Sequence, residues 1–209
     1  MTTVLSDFIG AFVTLFVVVE PLGLAPVFLA ATAGHSGAAR ASIAARACFY
    51  AFLILTGAAF GGAALLRAMG ITLPAFRVAG GLLLFSIASE MVLGVRLGRD
   101  SATAHQALGE NGRNVAAFPL AIPLMAGPGA ITATLLIAGE AHGDAARLAA
   151  LIGAILAVVV LCWIVCRLAT GVQRLVGASA SIVMEKLIGV LLASLAVQFV
   201  MDGAKSLFS

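Results

Sequence analysis

Two short stretches hold most of the residues able to do chemistry. The first is Glu20-Pro21-Leu22-Gly23-Leu24-Ala25-Pro26, and the second is Ala126-Gly127-Pro128-Gly129-Ala130. Each lies in the middle of an apolar run long enough to cross a membrane. A proline lacks the amide proton and clashes with the turn before it, so both runs should unwind there. An unwound segment exposes amides and carbonyls, and at membrane depth that is tolerated only where protein or a cavity surrounds it. The chemistry on offer is binding, with no bond broken. Half-helix N-termini can face a carboxylate, and freed carbonyls an ammonium. The substrate-binding residues expected on this basis are Glu20, Pro21, Gly23, Leu24, Gly127, Pro128, Gly129, Ala130 and Thr132. Ser86, Ser89 and Gln198 are further pathway candidates, each equally readable as an interhelical or back-bonding group. Glu20 has two readings. A desolvated carboxyl has a raised affinity for a proton, which suits a coupling site. It also suits a cap for the half-helix that begins after Pro21.

The elements that must position these residues follow from composition. Of 209 residues, 62% are hydrophobic and 10% charged, with a mean hydropathy of +1.16. A soluble domain carries about 25% charged residues, so the chain reads as an all-α polytopic membrane protein. Six spans are expected, at about 20 residues each. They are residues 8–32, 38–66, 75–95, 115–138, 145–169 and 182–201, with the first and fourth broken at mid-membrane. The longest polar connection is 96–113. The net charge of +3 comes from residues between spans and forms no stripe for nucleic acid. Cys48, Cys162 and Cys166 fall inside apolar runs with no His or carboxylate beside them, and read as small core residues rather than a metal site.

Sliding the chain against itself by about half its length aligns Pro21 with Pro128 and His35 with His142. Ala38-Ala39-Arg40 then meets Ala145-Ala146-Arg147, and two residues further Arg77 meets Lys186 and Gly80 meets Gly189. A unit of three spans returns the chain on the other side. The expected architecture is therefore an inverted 3+3 repeat in one membrane domain over 1–209, with copies at 7–95 and 114–203. Arg40, Arg46, Arg96, Arg99, Arg113, Arg167, Arg174 and Lys186 outnumber Arg67, Arg77, Arg147 and Lys205, which puts the first set in the cytoplasm and both termini outside. Gly80-Gly81 and Gly189 are expected to let helices approach closely. Glu90 is expected to pair with Arg96 or Arg99.

The motifs Glu20-Pro21-Leu22-Gly23-Leu24-Ala25-Pro26-Val27-Phe28-Leu29 and Pro123-Leu124-Met125-Ala126-Gly127-Pro128-Gly129-Ala130-Ile131-Thr132 resemble the MarC family of inner-membrane proteins. The likeness extends to Ala79-Gly80-Gly81 and to residues 189–198. That family's first motif usually begins with Asp, where this chain has Glu20. The resemblance implies membership of the LysE-like group of small transporters, some of them carriers of small neutral amino acids.

The expected function is a secondary transporter of Gly, Ala or Ser across the inner membrane, coupled to protons rather than sodium, without a cofactor. The alternatives are a channel, a non-transporting membrane protein of the same fold, or an exporter of another small solute. An intramembrane enzyme would need facing membrane Asp residues, a His-Glu-x-x-His, or an in-membrane Ser–His pair, and the sequence has none. A nucleotide-driven pump would need a Gly-x-x-x-x-Gly-Lys loop, also missing.

Overall fold

The computed structural model describes residues 2–94, 115–141 and 143–208, whose regular secondary structure is all helical. The expected connection 96–113, with Arg96, Arg99 and Arg113, and His142 lie outside the described residues. The elements are α1 (Thr2–Val19), a single 3-10 turn (Pro21–Gly23), α2 (Leu24–Ala31), α3 (Gly37–Ala68) and α4 (Leu73–Leu93). After the connection come a π-helical segment, α5 (Ala116–Met125), then α6 (Pro128–Glu140), α7 (Ala145–Arg167) and α8 (Ala169–Phe208). Among the described residues, five stretches are long and apolar enough to cross a membrane: Val4–Ala31, Gly37–Ala68, Leu73–Leu93, Ala145–Arg167 and Val183–Leu207. The remaining apolar run is divided between α5 and α6, neither of which reaches that length alone.

Local chemistry sets the helix ends. Ser36 and Thr72 cap α3 and α4 by accepting from Ala39 N and Ala75 N, both at 3.3 Å. Asp144 caps α7, its Oδ1 accepting from Ala146 N at 2.8 Å. Each hydroxyl or carboxylate satisfies an amide that the helix itself leaves without a partner. Pro21, Pro26, Pro74 and Pro128 all fall in the first turn of a helical element, where a missing amide proton costs nothing. Pro119 and Pro123 instead sit within α5. The bond closing that segment, Ala126 N to Ala121 O at 2.8 Å, spans five residues rather than four. C-terminal carbonyls attract cations. Arg40 Nε donates to Thr32 O at the end of α2, and Lys186 Nζ donates to Val92 O at the end of α4.

Two buried clusters result. The larger joins α1, α2, α3, α5, α6 and α7 and includes Leu15, Leu55, Leu120, Met125, Leu151, Ile155 and the three free cysteines. The smaller is Leu84 and Ala88 of α4 against Leu192 and Ala196 of α8. Glycines allow that second pairing. A methyl at Gly81 would stand 2.7 Å from Ala196 O, one at Gly189 3.0 Å from Met91 Cβ, and one at Gly203 2.8 Å from Pro74 O. Positions rising along α4 meet positions falling along α8, so the two helices run antiparallel.

Two expectations at the C-terminal end need correction. The sequence reading placed a connection before residue 182, but α8 is continuous from Ala169. Gly171 and Gly177 each cost a helix about 1 kcal/mol relative to Ala, too little to end one without a proline. Asp202-Gly203 was expected to stop the last span near Met201, yet the helix continues to Phe208. Gly203 is there for close approach to α4, not for termination.

The interhelical glycines give a paired test. Gly81→Ala forces a methyl against a carbonyl on α8 and should cost about 1–3 kcal/mol, read as a lower melting temperature in detergent. Gly57→Ala, with open space around it, should leave the melting temperature unchanged or raise it slightly.

Candidate functional site

Break one begins where the Glu20 amide donates to Phe16 O at 3.0 Å, the last bond of α1. Glu20 itself is left-handed, with φ 50° and ψ 63°. A side chain there costs roughly 1–2 kcal/mol, which only Gly avoids. The left-handed residue turns the chain so that Pro21 can start the 3-10 turn, and Gly23 N then bonds back to Glu20 O at 3.0 Å. The carboxylate lies over the bare face of Gly23. A methyl on Gly23 would be 3.2 Å from Glu20 Cδ and 3.4 Å from each carboxylate oxygen. Pro21, Leu24 and Ala25 are buried, while Glu20 and Gly23 are half-buried. The acid therefore stands beside the positive end of α2, where negative charge is favoured.

Break two has a different local form. Met125, Ala126 and Gly127 are buried, and Gly127 is extended, with φ −78° and ψ 173°. A methyl on Gly127 would come within 2.3 Å of Pro123 O, so this turn admits only glycine without moving backbone. Gly127 O then accepts from Ile131 N at 3.0 Å, which starts α6 with Pro128 in its first position. Pro128 is exposed, whereas Gly129, Ala130 and Thr132 are buried.

The two breaks are neighbours. A methyl on Gly129 would lie 3.1 Å from Val18 Cγ1, two residues before Glu20, and 2.9 Å from Leu84 Cδ2. Val19, Leu24 and Ala25 share one buried cluster with Met125, Ala126 and Ala130. Thr132 presses its methyl into the space left by Gly80, where an added methyl would be 2.1 Å from Thr132 Cγ2. Thr134, two residues on, is fully buried, and its hydroxyl has no hydrogen-bond partner.

The other pathway candidates are not gathered there. Ser86 is exposed on α4. Ser89 Oγ donates to Phe85 O at 2.8 Å and Ser194 Oγ to Val190 O at 3.0 Å. Both line an apolar groove of about 590 Å³ between α4 and α8. Gln198 is exposed and donates to both Asp202 carboxylate oxygens at 2.9 Å. This groove is thus not at the breaks. His35 is exposed in the turn before α3.

Sequence reasoning missed a charged cluster at one end of the α1–α6 contact. Asp7 pairs with Arg147 and Arg77 with Glu140, and of these Asp7, Glu140 and Arg147 line a cavity of about 280 Å³. The sequence marks Arg77 and Arg147 as topology signals and as positions of the internal repeat, not as members of ion pairs. The available signal was spacing: Asp7, Ala11, Thr14 and Val18 fall on one helical face that leads to Glu20.

What remains is likeness to known proteins. Residues 5–208 match the MarC family integral membrane protein profile. A UPF0056 membrane protein of Aquifex aeolicus is 38% identical over 201 residues, covering 96% of this chain and 93% of its own. One from Archaeoglobus fulgidus is 34% identical, covering 95% and 92%, and YhcE of Escherichia coli is 33% identical, covering 94% and 91%. No solved structure matches. Matched from end to end, its two interrupted helices included, this multi-pass membrane protein belongs to the MarC family.

Proposed function

We propose that the protein is a secondary carrier of small neutral amino acids of the Gly, Ala and Ser class in the inner membrane. Glu20, Pro21, Gly23 and Leu24 would face Gly127, Pro128, Gly129, Ala130 and Thr132 across the substrate. The observation that carries this reading is the meeting of two helix breaks at the Val18–Gly129 contact, inside one buried cluster. Broken backbone at that depth has groups to offer a zwitterion, and the glycines leave room only for a small side chain. Glu20, half-buried beside a helix N-terminus, is the group placed to exchange a proton with the cycle.

Packing supports reading the chain as six spans in two inverted copies. The first span packs on α7, and the fourth, made of α5 and α6, packs on α3. Exchanging the copies turns one contact into the other. The third and sixth spans, α4 and α8, lie antiparallel and supply the same Leu and Ala pair one turn apart, Leu84 with Ala88 and Leu192 with Ala196. A two-fold axis in the membrane plane has this consequence. Alternating access would be a movement of the α4–α8 pair against the larger cluster, across the contacts of Gly80 with Thr132 and of Gly129 with Leu84.

Two outcomes are expected. Purified protein should be stabilised in a thermal-shift assay by Gly, Ala or Ser, by about 2.7 kcal/mol at a hundredfold excess over Kd. No stabilisation by any of these would remove the proposed site. Glu20→Gln should insert and melt like the parent while losing proton-driven transport, because an amide has no titratable proton to exchange. Transport at the parental rate would make the carboxyl a structural cap only.

A further inference from the structure

The charged cluster beside α1 has no place in the binding site just described. Asp7 and Arg147 join α1 to α7, with Arg147 Nε 3.5 Å from Asp7 Oδ2. Arg77 and Glu140 join α4 to the last residue of α6. Between them lies the cavity of about 280 Å³, lined by Ser6, Asp7, Ala11, Thr14, Glu140 and Arg147 among others. It occupies the outer end of the seam whose inner end is Val18 against Gly129. On α1 the face runs Asp7, Ala11, Thr14, Val18, and on α6 it runs Glu140, Ile137, Ala133, Gly129, both at three- and four-residue spacing. A single seam therefore connects the charged cavity to the paired breaks.

The Asp7–Arg147 pair is made to part, while Arg77 and Glu140 are closely joined with Arg77 only 15% exposed. The Asp7–Arg147 pair is longer than a good hydrogen bond. Asp7 Oδ2 is buried with no hydrogen-bond partner, and so is Arg77 Nε. The Asp7 and Arg147 side chains remain 34% and 49% exposed. A pair this wet holds weakly, so thermal motion can separate Asp7 from Arg147. Once apart, they present a carboxylate and a guanidinium to one small cavity, which matches the two ends of a zwitterion and neither a lone cation nor a lone anion. The opposite ends of α2 and α4 differ, because Arg40 and Lys186 there are bonded to backbone carbonyls.

We propose that the Asp7–Arg147 pair forms a gate over the entrance to the α1–α6 seam, closing against Glu140, which Arg77 holds in place, and that the cavity behind it first receives a small zwitterionic solute. The zwitterion assignment rests on the carrier reading above, whereas the gate rests on the seam and the pairs alone. Ala11, 3% exposed and lining the cavity, is the reporter position.

The test is the labelling rate of Ala11→Cys by a membrane-impermeant charged maleimide, applied to either face of reconstituted protein. The unmodified chain, whose own cysteines are buried, supplies the background rate. Thr14→Cys is the second reporter should the first fail to insert. Labelling should be slow with the gate intact. Asp7→Ala should accelerate it by up to about fivefold, and the exchange Asp7→Arg with Arg147→Asp should restore the slow rate. Equal rates in every variant would overturn the gate, as would an exchanged pair labelling as fast as Asp7→Ala. Labelling needs no substrate. Gated labelling in a protein that ignores amino acids would remove the carrier reading and keep the gate, and ungated labelling in an active carrier would do the reverse.

Discussion

Lipid offers no hydrogen bonds, and this constraint governs the whole molecule. A helix that opens at mid-membrane leaves amides and carbonyls without partners, at several kcal/mol each where lipid can reach them. This chain interrupts two of its apolar runs. Both interruptions have a buried side, Pro21, Leu24 and Ala25 at the first and Met125, Ala126 and Gly127 at the second, while Glu20 and Gly23 are half-buried and Pro128 is exposed. The remaining helices can be understood as the walls that make these openings affordable. α7 covers the first, α3 covers the second, and the two meet where Val18 touches Gly129.

The walls are not uniform. The larger cluster interlocks six elements around Leu15, Met125 and Ile155, and its glycines and prolines are fixed by backbone demands, as with Gly127 against Pro123 O. The α4–α8 pair is held mainly to itself through Gly81, Gly189 and Gly203. It touches the second break through Thr132 on Gly80 and Gly129 on Leu84. Small residues at a helix interface allow close approach through van der Waals packing alone. Such a contact has no long side chains to disengage, which suits a surface between parts that move.

Much of this was legible in the sequence because proline and charge are costly in lipid. Glu20-Pro21 and Gly127-Pro128 located both breaks to the residue, and the close-approach roles of Gly80, Gly81 and Gly189 were also readable. What periodicity did not show was tertiary. Gly203 reads as a terminator until α4 is laid beside it. The stretch before residue 182 reads as a loop by its Gly and Ser content, yet without a proline the backbone stays helical. The left-handed turn at Glu20 and the five-residue spacing of α5 are local answers to proline that no apolar count encodes. Asp7, Glu140 and Arg147 come from three different helices, and only folding brings them to one cavity, with Arg77 of a fourth paired to Glu140.

Uptake of labelled alanine into proteoliposomes, with and without an imposed proton gradient, tests the central claim most directly. A carrier built on paired breaks should give saturable uptake that the gradient accelerates and excess glycine or serine suppresses. Uptake equal to that of protein-free vesicles, or rising with alanine concentration without saturating, would contradict it.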